Sequence, residues 1–337
     1  MKICQVVASW EQGGLEKHVI ELSNELSKQY QVFVIAHPLM KDKFVETVNF
    51  VELDFSQSRW SLRLHFQLLT LLNTLKPDVI HAQANKAALL IKRVKPFLQF
   101  KSRYIATLHN QKGNTSMFEG YDKVIVVSPR LAPLIKTSPT IAIYNGVRLP
   151  NIEKVNRIYL AQAFNLNPMQ PIYIAVGRLV SAKGFDILIS AAAKADTQIL
   201  IVGDGELKAE LQQQINALQA KVVLAGFRAD VVRLMAFSDG LIISSRFEGG
   251  PYTLPEALLL KVPVLSTKVG MVPDFLSEEL LVPIEDVDAL TQKLIWVQSN
   301  PNEWLKKISN VFERAEQDLT LSAMVQKTQA IYAQIVV

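Results

Sequence analysis

Six apolar runs in the second half of the chain constrain the fold more than any other feature. "IYIAVG", "QILIVG", "VVLAGF", "GLIISS", "VPVLST" and "ELLVPI" begin near residues 172, 198, 221, 240, 262 and 280. Each is continuously apolar rather than alternating, as expected of a parallel strand covered on both faces. Their spacing leaves room for a crossover helix between strands, which parallel neighbours require because no hairpin can join them. The first half repeats the rhythm with "ICQVVA", "QVFVIAH", "FVELDF", "DVIHAQ", "RYIATLHN", "KVIVVS" and "IAIYNG". Between these runs, "GLEKHVIELSNELSK" and "SLRLHFQLLTLLNTLK" carry apolar residues at helical spacing. The expectation is an α/β chain of two doubly wound parallel-sheet domains.

A length of 337 residues supports two cores rather than one. The first domain is expected over 1–150, completed by a C-terminal helix over 320–337, and the second over 151–319. They join near "NGVRLPNI", where glycine and proline interrupt the pattern. One cysteine, Cys4, excludes an intrachain disulfide framework and fits a reducing compartment. No run of 18 apolar residues occurs, and "MKICQVVAS" reads as a first strand rather than a signal peptide. These features place the protein in the cytoplasm. Charge is uneven: residues 1–150 hold 19 Lys and Arg against 11 Asp and Glu, and the remainder holds 17 against 20. The two halves are thus expected to meet different partners.

In doubly wound sheets ligands bind beyond the carboxyl ends of the strands. In "VGRLVSAKGFDILI", Arg178 and Lys183 flank such a strand-to-helix turn. Cations oppose a helix N-terminus electrostatically, unless an anion such as a diphosphate sits between them. The alternative is two solvated loop residues. "RFEGGPYTLPEALLLKVPVLS" sets Glu248 and Glu256 eight positions apart. "TLPE" reads as a capping box in which Glu256 reaches back to the Thr253 N–H, or as a site whose carboxylate takes a ribose diol. Glu248 has no structural excuse, and Gly249 and Gly250 beside it would let backbone approach a ligand. "GDGE" places Asp204 and Glu206 like a metal pair, but reads better as a strand-to-helix loop. No metal and no cofactor are expected.

Glu-x7-Glu with the following "ALLLKVPVLS", together with "VGRLVSAKGFD", "YNGV" and "GGLEKH", resembles glycosyltransferase family 4 over nearly the whole chain. The resemblance implies a GT-B fold, two Rossmann-like domains facing a cleft, and sugar transfer with retention from a nucleotide-sugar donor. By that resemblance Arg178 and Lys183 hold the diphosphate, Glu248 with Gly249 and Gly250 binds the donor sugar, and Glu256 takes the ribose. Gly13 and Gly14 approach the transferred group, and His109 lines the site near the sugar. Lys261 and Asp274 depart from the family pattern, which bears on the donor sugar. A same-architecture nucleotide-sugar epimerase and a non-catalytic binding protein are the competing readings.

Seven basic residues and no acid lie from Lys86 to Lys112. There "NKAALLIKRVKPFLQFKSR" mixes cations with Leu, Ile and Phe. Lys92, Arg93 and Lys95, with His81, are candidates for contact with acceptor or with an anionic membrane surface. A buried helix with solvated lysines is the alternative, and no nucleic-acid module accompanies the charge. A glycan or glycolipid acceptor, such as growing lipopolysaccharide at the inner face of the membrane, suits the charge and the resemblance.

Overall fold

In a computed structural model the described residues are 1–10, 13–111, 113–152 and 157–336; Lys112 of the basic segment and Val337 of the expected last helix lie outside them. The chain forms two compact units, one of Met1–Gly146 with Leu321–Val337 and one of Val147–Thr320.

Unit 1 opens with β1 (Lys2–Val7), α1 (Gly14–Leu26), β2 (Gln31–Ala36), β3 (Asn49–Glu52) and α2 (Leu62–Leu75). It continues through β4 (Val79–Gln83), α3 (Ala84–Val94), β5 (Arg103–Leu108), β6 (Lys123–Val126) and β7 (Thr140–Ala142). The seven strands are ordered β3-β2-β1-β4-β5-β6-β7, with every pair parallel. Because side chains alternate across a sheet, β1 sends Cys4 and Val6 to one face and Ile3 and Val7 to the other. Leu64, Leu68 and Leu72 of α2 and Ala87, Leu90 and Ile91 of α3 cover the first face. Val19, Leu22 and Leu26 of α1 cover the second.

Unit 2 runs α4 (Arg157–Phe164), β8 (Ile172–Val176), α5 (Phe185–Lys194), β9 (Gln198–Val202), α6 (Lys208–Leu218) and β10 (Val222–Leu224). It then passes through α7 (Val231–Ala236), β11 (Gly240–Ile243), α8 (Thr253–Leu259), β12 (Val264–Thr267) and α9 (Val272–Phe275). It ends with β13 (Leu281–Val282), α10 (Val287–Ser299) and α11 (Pro301–Asp318). Its six parallel strands are ordered β10-β9-β8-β11-β12-β13. All the apolar runs read from the sequence thus become strands. The last helix, α12 (Leu321–Val336), returns to unit 1, where Leu321, Met324, Ile331 and Tyr332 join α1 on the second face.

Strand order reverses direction between β1 and β4 in unit 1, and between β8 and β11 in unit 2. At such switch points neighbouring crossovers depart to opposite faces and leave a crevice at the strand ends. The sequence stretches with the strongest chemical signals, after β1, β4, β8 and β11, therefore lead into these two crevices.

Within unit 2 the core leaves no slack at Gly240, where a Cβ would run into the indole of Trp304 and the Pro263 carbonyl. Trp304 is buried against Tyr173, with ring centroids 5.9 Å apart. Gly240→Ala is expected to cost about 1–3 kcal/mol in urea unfolding. Part of that loss should return in Gly240→Ala/Trp304→Leu, since the two sites share one contact.

Candidate active site

At the unit 2 switch point, β8 leads through Gly177 and Arg178 into a 3₁₀ turn, Ser181–Lys183, and then α5. Gly184 joins turn to helix at φ 62°, and a Cβ there would strike the Ser244 carbonyl. That backbone region is open to glycine at no steric cost. The residues following β11 are laced onto the same turn. Arg246 N donates to Ala182 O at 2.8 Å, and Ser244 Oγ to Lys183 O at 3.0 Å. Arg246 also donates to Ser181 O at 2.8 Å, grips both oxygens of Asp186 at 2.8 and 2.7 Å, and reaches Glu285 at 2.8 Å. Burial alone would raise the Asp186 carboxyl, but the Arg246 hydrogen bonds and charge outweigh it and hold it below its usual range.

This lacing sets Lys183 beside Glu248. Lys183 Nζ donates to Glu248 Oε1 at 2.5 Å, and Ser245 Oγ donates to the same oxygen at 2.8 Å. The Lys183 stem lies against Gly177, where a Cβ would stand 2.9 Å from Cε. Both side chains are mostly shielded, at 23% and 12% exposure. An ammonium carries three donors, so Lys183 can hold this carboxylate and still offer N–H groups to a ligand. Arg178 is exposed at the end of β8, and its carbonyl accepts from Val180 N at 2.8 Å. Gly249 O accepts from Met271 N at 2.9 Å, which ties the next strand-end loop to this one; Gly250 follows, half-buried.

Glu256 is buried in the first turn of α8. The capping box read from "TLPE" is not the one formed. Tyr252, already in αR geometry, stands at the N-cap with no side-chain cap hydrogen bond, and Thr253 is the first helical residue. The turn starts earlier because Leu254 N bonds Pro251 O at 3.2 Å and Glu256 N bonds Tyr252 O at 3.2 Å. Asp204 accepts from Gly205 N at 2.8 Å and from Lys208 at 3.0 Å, as part of its own strand-to-helix loop.

At the carboxyl end of the unit 1 sheet, alternation sends Gln5, His81, Gln83 and Thr107 to the face covered by α1 and α12, where all four are buried. Buried polar side chains need partners, and here they find one another. Tyr332 of α12 lies 2.6 Å from His81 Nδ1, and Thr107 Oγ1 lies 2.7 Å from His81 Nε2. Gln5 Nε2 donates to the Tyr332 hydroxyl at 2.9 Å, and Gln83 Nε2 donates to Gln5 Oε1 at 2.9 Å. Gln83 Oε1 then accepts from His109 Nε2 at 2.8 Å, so the second ring nitrogen keeps its lone pair. His18 stands edge-on to His109, ring centroids 4.7 Å apart, and its Nδ1 lies 3.1 Å from Asn145 of the "YNGV" stretch. Gly13 is the N-cap of α1 and Gly14 its first residue. Gly13 leaves space for buried Glu16, whose carboxylate takes the Ser9 hydroxyl.

On α3, Lys92 bonds Ser116 O at 2.6 Å and Glu119 at 3.0 Å, and Lys95 bonds Gly120 O at 2.7 Å while covering the Tyr104 ring. Arg93 reaches Arg59 O at 3.2 Å and stacks on Trp60. His81 is fully buried in the network above rather than at a surface. Arg246, Asp186, Gln5 and Tyr332 escape the sequence because each acts through a partner far away along the chain, and Ser245 because only the fold turns its hydroxyl onto Glu248, three residues on.

Residues 12–150 match the family described as Glycosyltransferase Family 4, and residues 157–316 match Glycosyl transferases group 1. The chain is 21% identical to the O-antigen biosynthesis glycosyltransferase WclY of Escherichia coli, an alignment that covers 98% of each. It is 31% identical to the N-acetylgalactosamine-N,N'-diacetylbacillosaminyl-diphospho-undecaprenol 4-alpha-N-acetylgalactosaminyltransferase of Campylobacter jejuni, over 65% of this chain and 57% of that one. The crystal structure of Anabaena HepE with UDP and glucose superposes with a TM-score of 0.84 at 20% identity, over 99% of this chain and 100% of that one. The chain belongs to glycosyltransferase family 4, has the GT-B fold, and is a glycosyltransferase.

Burial pushes the His18 imidazole down to about 4 and His81 to about 3, and holds His109 well below its usual value. For His18, the Asn145 hydrogen bond offsets part of that effect. The folded chain thus keeps these rings neutral at pH values where the unfolded chain protonates them. Stability should be unaffected by them above about pH 6.5 and fall as pH drops toward 4, by up to about 1.4 kcal/mol per pH unit for each ring. Urea unfolding from pH 7 to 4.5 measures the slope. His81→Gln is expected to reduce it by about one proton's share, whatever its effect at pH 7.

Proposed function

We propose that the chain transfers a sugar, with retention and without a metal ion, from a nucleotide-sugar donor held by unit 2 to a lipid-linked glycan of the surface-polysaccharide type. The Lys183–Glu248 pair at the unit 2 switch point carries this reading. A cation and an anion locked together there can serve the two ends of a sugar diphosphate at once. Arg178 and Lys183, at the turn that opens α5, face the diphosphate and stabilise the charge that grows on it as the glycosidic bond breaks. Glu248 Oε1 is fixed by Lys183 and Ser245, which leaves Oε2 for hydroxyls of the donor sugar. Gly249 and Gly250 lie beside it, and Glu256 takes the ribose hydroxyls.

The positive side chains do the work a metal performs elsewhere, which supports the metal-independent assignment. His109, kept neutral by burial, acts near the transferred sugar as a hydrogen-bonding group rather than a charge. A double displacement would need a carboxylate behind the anomeric carbon as nucleophile. With Glu248 held as a hydroxyl ligand, attack on the face the diphosphate leaves is the favoured course, the departing phosphate taking the acceptor proton. The activities of the E. coli and C. jejuni relatives support an O-antigen-like or polyprenyl-diphosphate-linked acceptor.

A thermal-shift panel of nucleoside diphosphates and nucleotide sugars, in chelator, tests the donor site. One donor class should raise the melting temperature of the wild type and not that of Arg178→Ala/Lys183→Ala. With that donor, Lys183→Ala and Glu248→Gln should each lower kcat about 10²–10³-fold. NMR of the product should show an enlarged acceptor with the donor's anomeric configuration. A free sugar formed without acceptor would identify an epimerase, and an inverted product would overturn retention.

A further inference from the structure

The basic segment of unit 1 is not where its surface is most unusual. Lys92 and Lys95 spend their charge on carbonyls and a carboxylate of the same unit. The connection from β3 to α2 and the first turns of α2 differ. Trp60, Leu62 and Phe66 are 65%, 85% and 70% exposed. Folding does not require them there, since Leu64, Leu68 and Leu72 already give α2 a complete buried stripe. Leu62 and Phe66, four apart, share one helix face.

Arginines surround these side chains, with Arg59 and Arg63 exposed and Arg93 half-buried. Arg59 and Arg63 flank Trp60 and Leu62 in sequence, and Arg93 crosses from α3 to lie 3.7 Å from the Trp60 ring centroid. Between residues 53 and 118 there are ten Lys and Arg and two acids, Asp54 and Asp78. The segment is also held in shape. Lys86 clamps the carbonyls of Phe55 and Gln57 at 2.5 and 2.9 Å. Ser61 caps α2 by accepting from Leu64 N at 3.3 Å, and donates to Gln57 Oε1 at 2.8 Å. No helix among the described residues is long and apolar enough to cross a membrane.

From this we infer that Arg59, Trp60, Leu62, Arg63, Phe66 and Arg93 form a docking surface for an anionic lipid bilayer. The three apolar side chains enter the boundary between headgroups and acyl chains, and the guanidinium groups take the phosphates. Charge complementarity selects lipid: an apolar patch ringed by arginines, in a stretch with ten cations and two acids, matches a phosphate-covered apolar layer. The β3–α2 connection leaves the sheet at the same carboxyl edge of unit 1 as Gly13 and His109. A membrane docked there lies at the edge where a lipid-linked acceptor has to arrive. The purpose of the surface rests on the proposed acceptor, but its binding does not.

Trp60 supplies its own reporter. It is the exposed tryptophan, with Trp304 buried and Trp10 and Trp296 partly buried. The intact protein, without donor or acceptor, is mixed with phosphatidylcholine vesicles with and without phosphatidylglycerol. Co-sedimentation with the anionic vesicles, a blue shift of tryptophan emission and quenching by brominated lipid are expected. The shift and quenching should be lost in Trp60→Phe, which keeps a bulky apolar ring. Arg59→Ala and Arg63→Ala should each weaken binding to anionic vesicles roughly fivefold. Trp60→Ala/Leu62→Ala/Phe66→Ala should abolish it while keeping wild-type melting and the donor-induced thermal shift. Absence of wild-type binding, or binding unchanged in the triple variant, would overturn the inference. So would a wild-type dimer that the triple variant turns into a monomer without any vesicle binding, since the patch would then join two copies. Loss of donor response in wild type with vesicle binding intact would overturn only the donor reading.

Discussion

Parallel strands cannot be joined by tight turns, so each needs a crossover connection, most often through a helix, that carries the chain back to the starting edge. Everything functional in this protein follows from that constraint. Every strand-to-helix turn falls at one edge of its sheet, where helix N-termini also gather. The reversal of strand order then opens one crevice per unit. The two units use that shared geometry differently. Unit 2 fills its crevice edge with charge: Arg178, Lys183 and Glu248, braced by Arg246 and Asp186. Unit 1 fills its own with neutral polar groups, an amide–hydroxyl–imidazole layer from Tyr332 to His109.

The contrast suits the division of labour proposed for the two edges. A diphosphate needs fixed positive charge that does not reorganise as the leaving group departs, and the lacing of the 181–184 turn onto the 244–248 loop provides it. An uncharged hydroxyl nucleophile needs orientation instead. On the proposed reading, the edge of unit 1 offers hydrogen-bonding groups without added charge, since burial keeps the His109 ring neutral.

Much of this architecture was legible in the sequence. Continuous apolar runs gave the strands, and Arg178, Lys183, Glu248 and His109 stand just beyond strand ends as read, because both signals are local; the role proposed for His109 came from the family resemblance. What escaped was long-range or a matter of one residue. Arg246 reads as an ordinary surface arginine until Asp186, 60 positions away, is folded against it. Gln5, in the middle of an apolar strand, gave no hint that a tyrosine 327 residues later would satisfy it. "TLPE" has the spacing of a capping box, yet the helix began one residue sooner than its first letter implied. The lysines of α3 looked like an open basic face, since their carbonyl partners lie in a later loop that carries no distinctive sequence mark.

The return of α12 to unit 1 has a consequence in time. Residues 147–320 are contiguous, so unit 2 possesses all its parts once its last strand and helices have left the ribosome. Unit 1 does not, although most of it is made first. Tyr332 is synthesised 251 residues after His81. Until it arrives, Gln5 and the imidazole of His81 lack the hydroxyl that joins them, and the cluster on the second face lacks Leu321, Met324, Ile331 and Tyr332. The nascent chain therefore carries an unfinished domain through the whole synthesis of the other. Of the two units, the one whose first strands are made earlier is the one completed later.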